Sequence, residues 1–174
     1  MHNEIEIKQL IGESELAQRI RQIGEQISKR YEGKQVHLIC VLKGGVFFMC
    51  ELAKRITCDV TMDFMVVSSY GGGTQSSGEV NIIKDLDETI ADKNVIIVED
   101  IIDSGRTLKK LYELLLDRKP ANLEICTLLD KPAGRVAEVF ADYTGFTVPN
   151  KFIVGYGLDY DQKYRNLPYI AVVE

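Results

Sequence analysis

A chain of 174 residues is long enough for one domain with an ample hydrophobic core. Its 45% hydrophobic and 27% charged residues are an ordinary globular balance, and a formal charge of −5 argues against nucleic acid or an anionic membrane as the main partner. No apolar run approaches a membrane span, and residues 1–8 alternate acids with apolar residues instead of forming a secretory signal, so a cytoplasmic location is expected.

Leu16, Ile20, Ile23, Ile27 and Tyr31 recur at helical spacing and predict an amphipathic helix over 14–31, with Ser14 as N-cap and Gly33 as stop. Residues 36–42 form a short apolar run, hence a buried strand, followed by Lys43-Gly44-Gly45. A helix over 46–56 comes next, its late Lys54 and Arg55 suited to the helix dipole. Residues 60–68 and 79–84 read as strands. Between them, Tyr70-Gly71-Gly72-Gly73-Thr74-Gln75-Ser76-Ser77-Gly78 holds four glycines and two serines. A plain hairpin needs about two to five loop residues, so a lid over about 69–79 is the expectation.

Further along, 94–98 predicts a strand and 107–117 a helix with Leu108, Leu111, Leu114 and Leu115 on one face. Strands follow over 123–129, 152–154 and 169–173. Strands alternating with helices imply βαβ units: an α/β fold with a mainly parallel central sheet flanked by helices. The irregular tail 141–174 is expected to fold over one end of that sheet. Without repeats or a linker, residues 1–174 read as a single domain. Cys40, Cys50, Cys58 and Cys126 contain no C-x-x-C pair and read as free thiols of a reducing compartment. His2 and His37 match no familiar metal spacing with them.

In a parallel sheet, ligands gather outside the carboxyl ends of the strands. Three loops meet that condition: Lys43-Gly44-Gly45, the stretch from Glu99 to Thr107, and Asp130-Lys131-Pro132. Asp103-Ser104-Gly105-Arg106-Thr107 offers small residues, hydroxyls and outward amides at a helix start, the usual phosphate geometry. Alone, the same turn would serve equally well as a helix cap. Glu99 and Asp100 change the balance, because adjacent acids ending an apolar strand are costly unless they accept hydrogen bonds or bind a cation. Sugar hydroxyls and Mg²⁺ satisfy them; open solvent is the plainer alternative. Lys43-Gly44-Gly45 offers one cation to a second anion, although by itself it reads as a strand-to-helix turn. Neither G-x-x-x-x-G-K-[ST] nor G-x-G-x-x-G is present, which removes the main support for an ATPase or a dehydrogenase.

The stretch Val98-Glu99-Asp100-Ile101-Ile102-Asp103-Ser104-Gly105-Arg106-Thr107 resembles the phosphoribosyl pyrophosphate (PRPP) signature of type I phosphoribosyltransferases. Lys151-Phe152-Ile153-Val154-Gly155-Tyr156-Gly157-Leu158-Asp159-Tyr160 and Tyr164-Arg165-Asn166-Leu167-Pro168-Tyr169-Ile170 narrow the likeness. With Leu42-Lys43-Gly44-Gly45, Ser69-Tyr70 and Asp130-Lys131-Pro132, they resemble the bacterial hypoxanthine (hypoxanthine-guanine) branch, from about Ile7 to the last strand. Ser104 and Arg106 stand where Thr and Lys also occur, which keeps the hydroxyl and the cation. Asp161 falls where the branch varies and receives no direct role.

The resemblance implies the type I phosphoribosyltransferase fold, with a small hood from the N-terminal residues and about 141–174. It implies that Asp103, Ser104, Gly105, Arg106 and Thr107 hold a 5-phosphate. Glu99 and Asp100 would meet the ribose hydroxyls directly or through Mg²⁺. Lys43 and Gly44, beside a strained or cis Leu42-Lys43 peptide, would bind pyrophosphate with Arg165, and Asp159 would help hold a second Mg²⁺. Ser69 and Tyr70 would open the lid. Phe152 would stack on a purine, Lys131 would donate to its 6-oxo group, and the backbone near Ile153 and Asp159 would read the ring edge. Asp103 would be the acid/base at N7 of the purine. The implied partners are PRPP and a 6-oxopurine, with nucleoside monophosphate and pyrophosphate as products, no nucleic acid, no membrane, and a homodimer or homotetramer. Two rivals remain: a guanine- or xanthine-preferring enzyme, and a PRPP-binding nucleic-acid regulator.

Overall fold

The computed structural model describes residues 5–69 and 80–174. Its main sheet has six strands in the order β4-β3-β2-β5-β6-β7. These are β2 (Gln35–Val41), β3 (Asp59–Ser69), β4 (Val80–Lys84), β5 (Asn94–Ile102), β6 (Asn122–Asp130) and β7 (Tyr143–Thr147). All neighbours pair in parallel except β4, which returns antiparallel on β3. A second, antiparallel sheet joins β1 (Ile7–Ile11), β9 (Ile170–Val173) and β8 (Ile153–Val154). The α/β, mainly parallel architecture expected from alternating strands and helices is present.

The apolar residues of the strands alternate between two cores, the period-2 signature of a sheet covered on both faces. Leu38, Cys40, Ile96 and Val98 pack with helices α1 (Glu13–Arg30) and α2 (Val46–Ala53). Ile39, Val95, Ile97 and Ile125 pack with Leu108, Leu111 and Leu115 of α3 (Arg106–Leu116). Ile153, Ile170 and Val172 of the small sheet belong to the same core as α1 and α2, which fixes the hood over one end of the main sheet.

Four sequence expectations shift. The N-cap of α1 is Gly12 and not Ser14, because the Glu15 carboxylate accepts the Gly12 N–H at 3.3 Å and draws the helix start forward. Helix α2 stops at Ala53, so Lys54 and Arg55 lie beyond it, with Lys54 paired to Glu51 at 2.6 Å. Strand β5 continues to Ile102, four residues past the expected end. The tail 141–174 is not all hood: Tyr143–Thr147 is β7, an edge strand of the main sheet. Its Gly145 gave no apolar run to read, and it is required because a Cβ there would stand 2.3 Å from the Leu128 carbonyl oxygen. Gly33, with φ 72°, does follow the end of α1 as expected.

The opposite end of the sheet is tied by a buried carboxylate. Glu124 accepts from Tyr31 and Tyr143 hydroxyls at 2.8 and 2.9 Å and pairs with Arg30 at 2.5 Å. His37, on β2, is also buried; its Nδ1 lies 2.7 Å from Thr61 Oγ1 and its Nε2 has no partner among the described residues.

Candidate active site

A cavity of about 300 Å³ opens at the carboxyl ends of β2 and β5, lined by Gly44, by Glu99 and Asp100, and by the turn that leads into α3. The two acids lie inside β5 rather than at its end, since Glu99 pairs with Thr127 and Ile102 with Asp130 of β6. The rise in hydrogen-bonding need along the apolar run hid that continuation: acids after Val98 read as a strand end, whereas the ladder passes straight through them. Burial pushes the Glu99 carboxyl well above its usual range, and the neighbouring Asp100 charge adds to the effect. Asp100 is raised too, first by burial, although its Oδ1 accepts the Ile101 N–H at 2.7 Å. Such a pair is stabilised by an incoming cation or by hydroxyl donors.

The Leu42-Lys43 peptide is cis. Behind it, close packing leaves no room for a Cβ at two glycines. A Cβ on Gly44 would stand 1.7 Å from Asp100 Oδ2, and a Cβ on Gly157, at φ 103°, would stand 2.0 Å from the Gly44 carbonyl oxygen. The loop after β2, strand β5 and the hood therefore interlock at one point. Next to it, Lys43 Nζ and Arg165 Nη2 both donate to Gln162 Oε1 at 3.2 Å. Arg165 also donates to the Gly157 carbonyl at 2.7 Å and pairs with Asp159 Oδ1 at 3.0 Å, while Asp159 Oδ2 accepts the Gln162 N–H at 2.8 Å. The Nε of Arg165 is buried without a partner among the described residues. Lys43, Arg165 and Asp159 are thus brought together. Gln162, which sequence reasoning passed over, joins them; a single Gln in a polar loop carries no signal for it.

Asp103 lines the same cavity; its Oδ2 pairs with Lys131 Nζ at 2.7 Å, and the same ammonium points to the Lys151 carbonyl at 3.5 Å. The acid and the cation expected to serve a purine are direct neighbours. Gly105, in the left-handed region at φ 77°, caps α3, and Ser104 Oγ accepts the Arg106 N–H at 3.4 Å. Ser104, Gly105 and Thr107 all line the cavity, and Arg106 opens the helix. Phe152 is 53% exposed, free to receive a flat ligand, and meets Tyr160 edge-on with ring centroids 5.5 Å apart. Ile153 is buried and pairs with Val172. Ser69 ends β3 opposite Val80; Tyr70 and the expected lid through residue 79 lie outside the described residues.

Arg135 was also missed. It donates from Nε to the Asp103 carbonyl at 3.0 Å, from Nη1 to the Val139 carbonyl at 2.8 Å, and from Nη2 to the Ile102 carbonyl at 3.3 Å and the Asp130 carboxylate. No motif contains it. Among the described residues no group of three or more His, Cys, Asp or Glu side chains is gathered closely enough to hold a metal ion.

The family model of the phosphoribosyl transferase domain matches residues 7–161, which hold the main sheet, the acid pair and the turn into α3. The chain belongs to that family. It is 54% identical over 167 residues to a hypoxanthine-guanine phosphoribosyltransferase of Streptococcus thermophilus, covering 96% of this chain and 93% of the relative. It is also 54% identical over 174 residues to the bifunctional protein TilS/HprT of Listeria monocytogenes, of whose length it spans 27%. The crystal structure of a hypoxanthine phosphoribosyltransferase from Staphylococcus aureus superposes with a TM-score of 0.94 at 49% identity, covering 100% of this chain and 94% of that one.

Proposed function

We propose that this chain transfers the 5-phosphoribosyl group of PRPP to N9 of hypoxanthine, and of guanine, giving the nucleoside monophosphate and pyrophosphate in purine salvage. The observation that carries the reading is convergence on one cavity of a half-buried acid pair, a helix-start anion turn and the Asp103–Lys131 pair. The names of relatives alike over nearly their whole length support the same activity.

The roles are those the family resemblance implies, each suited to the residue that carries it. The amides and hydroxyls from Asp103 to Thr107 hold the 5-phosphate, and Glu99 and Asp100 accept from the ribose 2- and 3-hydroxyls. Lys43 and Arg165, joined through Gln162 Oε1, hold the pyrophosphate. Phe152 stacks on the purine and the Lys131 ammonium donates to its 6-oxo oxygen. The N9 lone pair forms a bond to C1 as the bond from C1 to pyrophosphate breaks, and the purine proton passes from N7 to the Asp103 carboxylate. Asp103 shares its ammonium partner with the purine oxygen, so Lys131 orients acid/base and substrate together.

Raised carboxyls at Glu99 and Asp100, the latter within reach of the Asp159 charge, fit Mg²⁺ held partly by substrate oxygens. Bound there, it would offset charge on the departing pyrophosphate. The shared core of hood and main sheet supports one catalytic domain. We further infer a cytoplasmic homodimer or homotetramer; no helix among the described residues is long and apolar enough to cross a membrane.

The test is a spectrophotometric assay with PRPP, Mg²⁺ and hypoxanthine, guanine or xanthine in turn. Turnover with hypoxanthine is expected. Turnover with xanthine alone would overturn the substrate, and no turnover with any purine would overturn the enzyme.

A further inference from the structure

We propose that Arg135 is a positioning residue that builds the 5-phosphate site from behind, a step that rests on the reading of residues 103–107 as an anion turn. In a trans peptide the N–H and C=O point in opposite directions from one rigid plane. Pinning a carbonyl on one side of a turn therefore aims the next residue's amide at the other side.

Three consecutive peptides are pinned in this way. The Ile102 carbonyl accepts from the Lys131 N–H at 3.0 Å and from Arg135 Nη2 at 3.3 Å. The Asp103 carbonyl accepts from Arg135 Nε at 3.0 Å. The Ser104 carbonyl accepts from the Val136 and Ala137 N–H groups, both at 2.9 Å. The amides thereby turned away from Arg135 are those of Asp103, Ser104 and Gly105, and none of the three has a hydrogen-bond partner among the described residues. Three adjacent free amides facing one cavity make a nest for a single anion.

Arg135 is what makes the back of this nest rigid. Its side chain is 17% exposed and its guanidinium is also clamped by Asp130 and the Val139 carbonyl, so it cannot swing away. Its stem lies against Gly105, where a Cβ would stand 3.0 Å from Arg135 Cδ. One side chain thus ties the ends of β5 and β6 to the segment after β6. No other type reproduces it: a lysine ammonium would lie at one point and could not span the Ile102 and Asp103 carbonyls together with Asp130. Arg135 touches no substrate in this scheme. It orients the groups that do.

The test is titration of Arg135→Lys and Arg135→Ala with ribose 5-phosphate, which needs no turnover, alongside KM for PRPP and for hypoxanthine. Both variants are first checked for native circular dichroism, and Arg135→Lys keeps the charge in case the alanine variant does not fold. We expect ribose 5-phosphate affinity and KM for PRPP to weaken by about tenfold or more, with KM for hypoxanthine changed by less than about threefold. Added guanidinium should restore part of the lost affinity in Arg135→Ala. Folded variants that bind ribose 5-phosphate as tightly as the parent would overturn the proposal, as would equal weakening towards PRPP and hypoxanthine. Failure of the parent protein to bind ribose 5-phosphate would instead overturn the anion turn itself.

Discussion

Substituting Gly44 by alanine probes the point where three segments interlock. The new Cβ would stand 1.7 Å from Asp100 Oδ2, and real Cβ contacts stop at 3.0 Å, so the carboxylate must retreat by about 1.3 Å. The obstruction is a side-chain oxygen, so the fold yields and the acid moves. Asp100 then loses its 2.7 Å hydrogen bond from the Ile101 N–H, a cost of about 1 kcal/mol. For a chain of this length that lowers Tm by roughly 2–4 °C. The functional cost is larger, because a misplacement of about 1 Å at a reacting centre takes roughly 10²-fold from the rate. Steady-state kinetics with PRPP and hypoxanthine should therefore show kcat/KM down by about 10²-fold while thermal unfolding moves only a few degrees. A kcat/KM within about threefold of the parent would mean that Asp100 can move freely without consequence, and it would remove the acid pair from the ribose site.

Three further outcomes follow from the same geometry. Asp103→Asn should keep PRPP affinity but lose about 10²–10⁴-fold in kcat, the usual worth of a general base; near-normal turnover would remove Asp103 from proton transfer. Phe152→Ala should raise KM for the purine by about twofold to tenfold, the worth of one aromatic stack, with Tm almost unchanged because the ring is 53% exposed; a large Tm fall with unchanged KM would make it a packing residue. Burial lowers the His37 pKa below its ordinary 6.5, with the Lys93 charge acting in the same direction, while Asp63 and Glu88 oppose them. At this site the unfolded chain therefore takes up the proton first: the contribution of His37 is full above about pH 6.5 and falls as pH drops below it, by up to about 1.4 kcal/mol per pH unit. Denaturant unfolding from pH 7.5 to 5 should show that slope and His37→Gln should flatten it; equal slopes would place the titration elsewhere.

Helical and strand periodicities carried most of the architecture, because α1, α3 and the central strands are amphipathic or continuously apolar. Strand β7 stayed hidden since Tyr143–Thr147 has a glycine at its centre and lies at a sheet edge, where only one side needs an apolar pattern. The end of β5 was misplaced for a related reason: hydrogen bonding to β6 continues where hydrophobicity stops. At the site, Glu99 and Asp100 stood out because adjacent acids ending an apolar run are costly without a partner, whereas Lys131 was singled out only through the family resemblance. Gln162 and Arg135 were not legible. Gln162 accepts from the Lys43 ammonium and Arg135 donates to the Asp103 carbonyl, contacts that only the fold brings together, and neither residue type is unusual in a surface loop.

The most direct measurement is a crystal structure of this protein with its nucleoside monophosphate product and Mg²⁺. The phosphate should sit on the amides of Asp103, Ser104 and Gly105, the ribose hydroxyls should reach Glu99 and Asp100, and the purine should lie on Phe152 with its 6-oxo oxygen at Lys131. A phosphate seated elsewhere, or a base away from Phe152, would contradict the site.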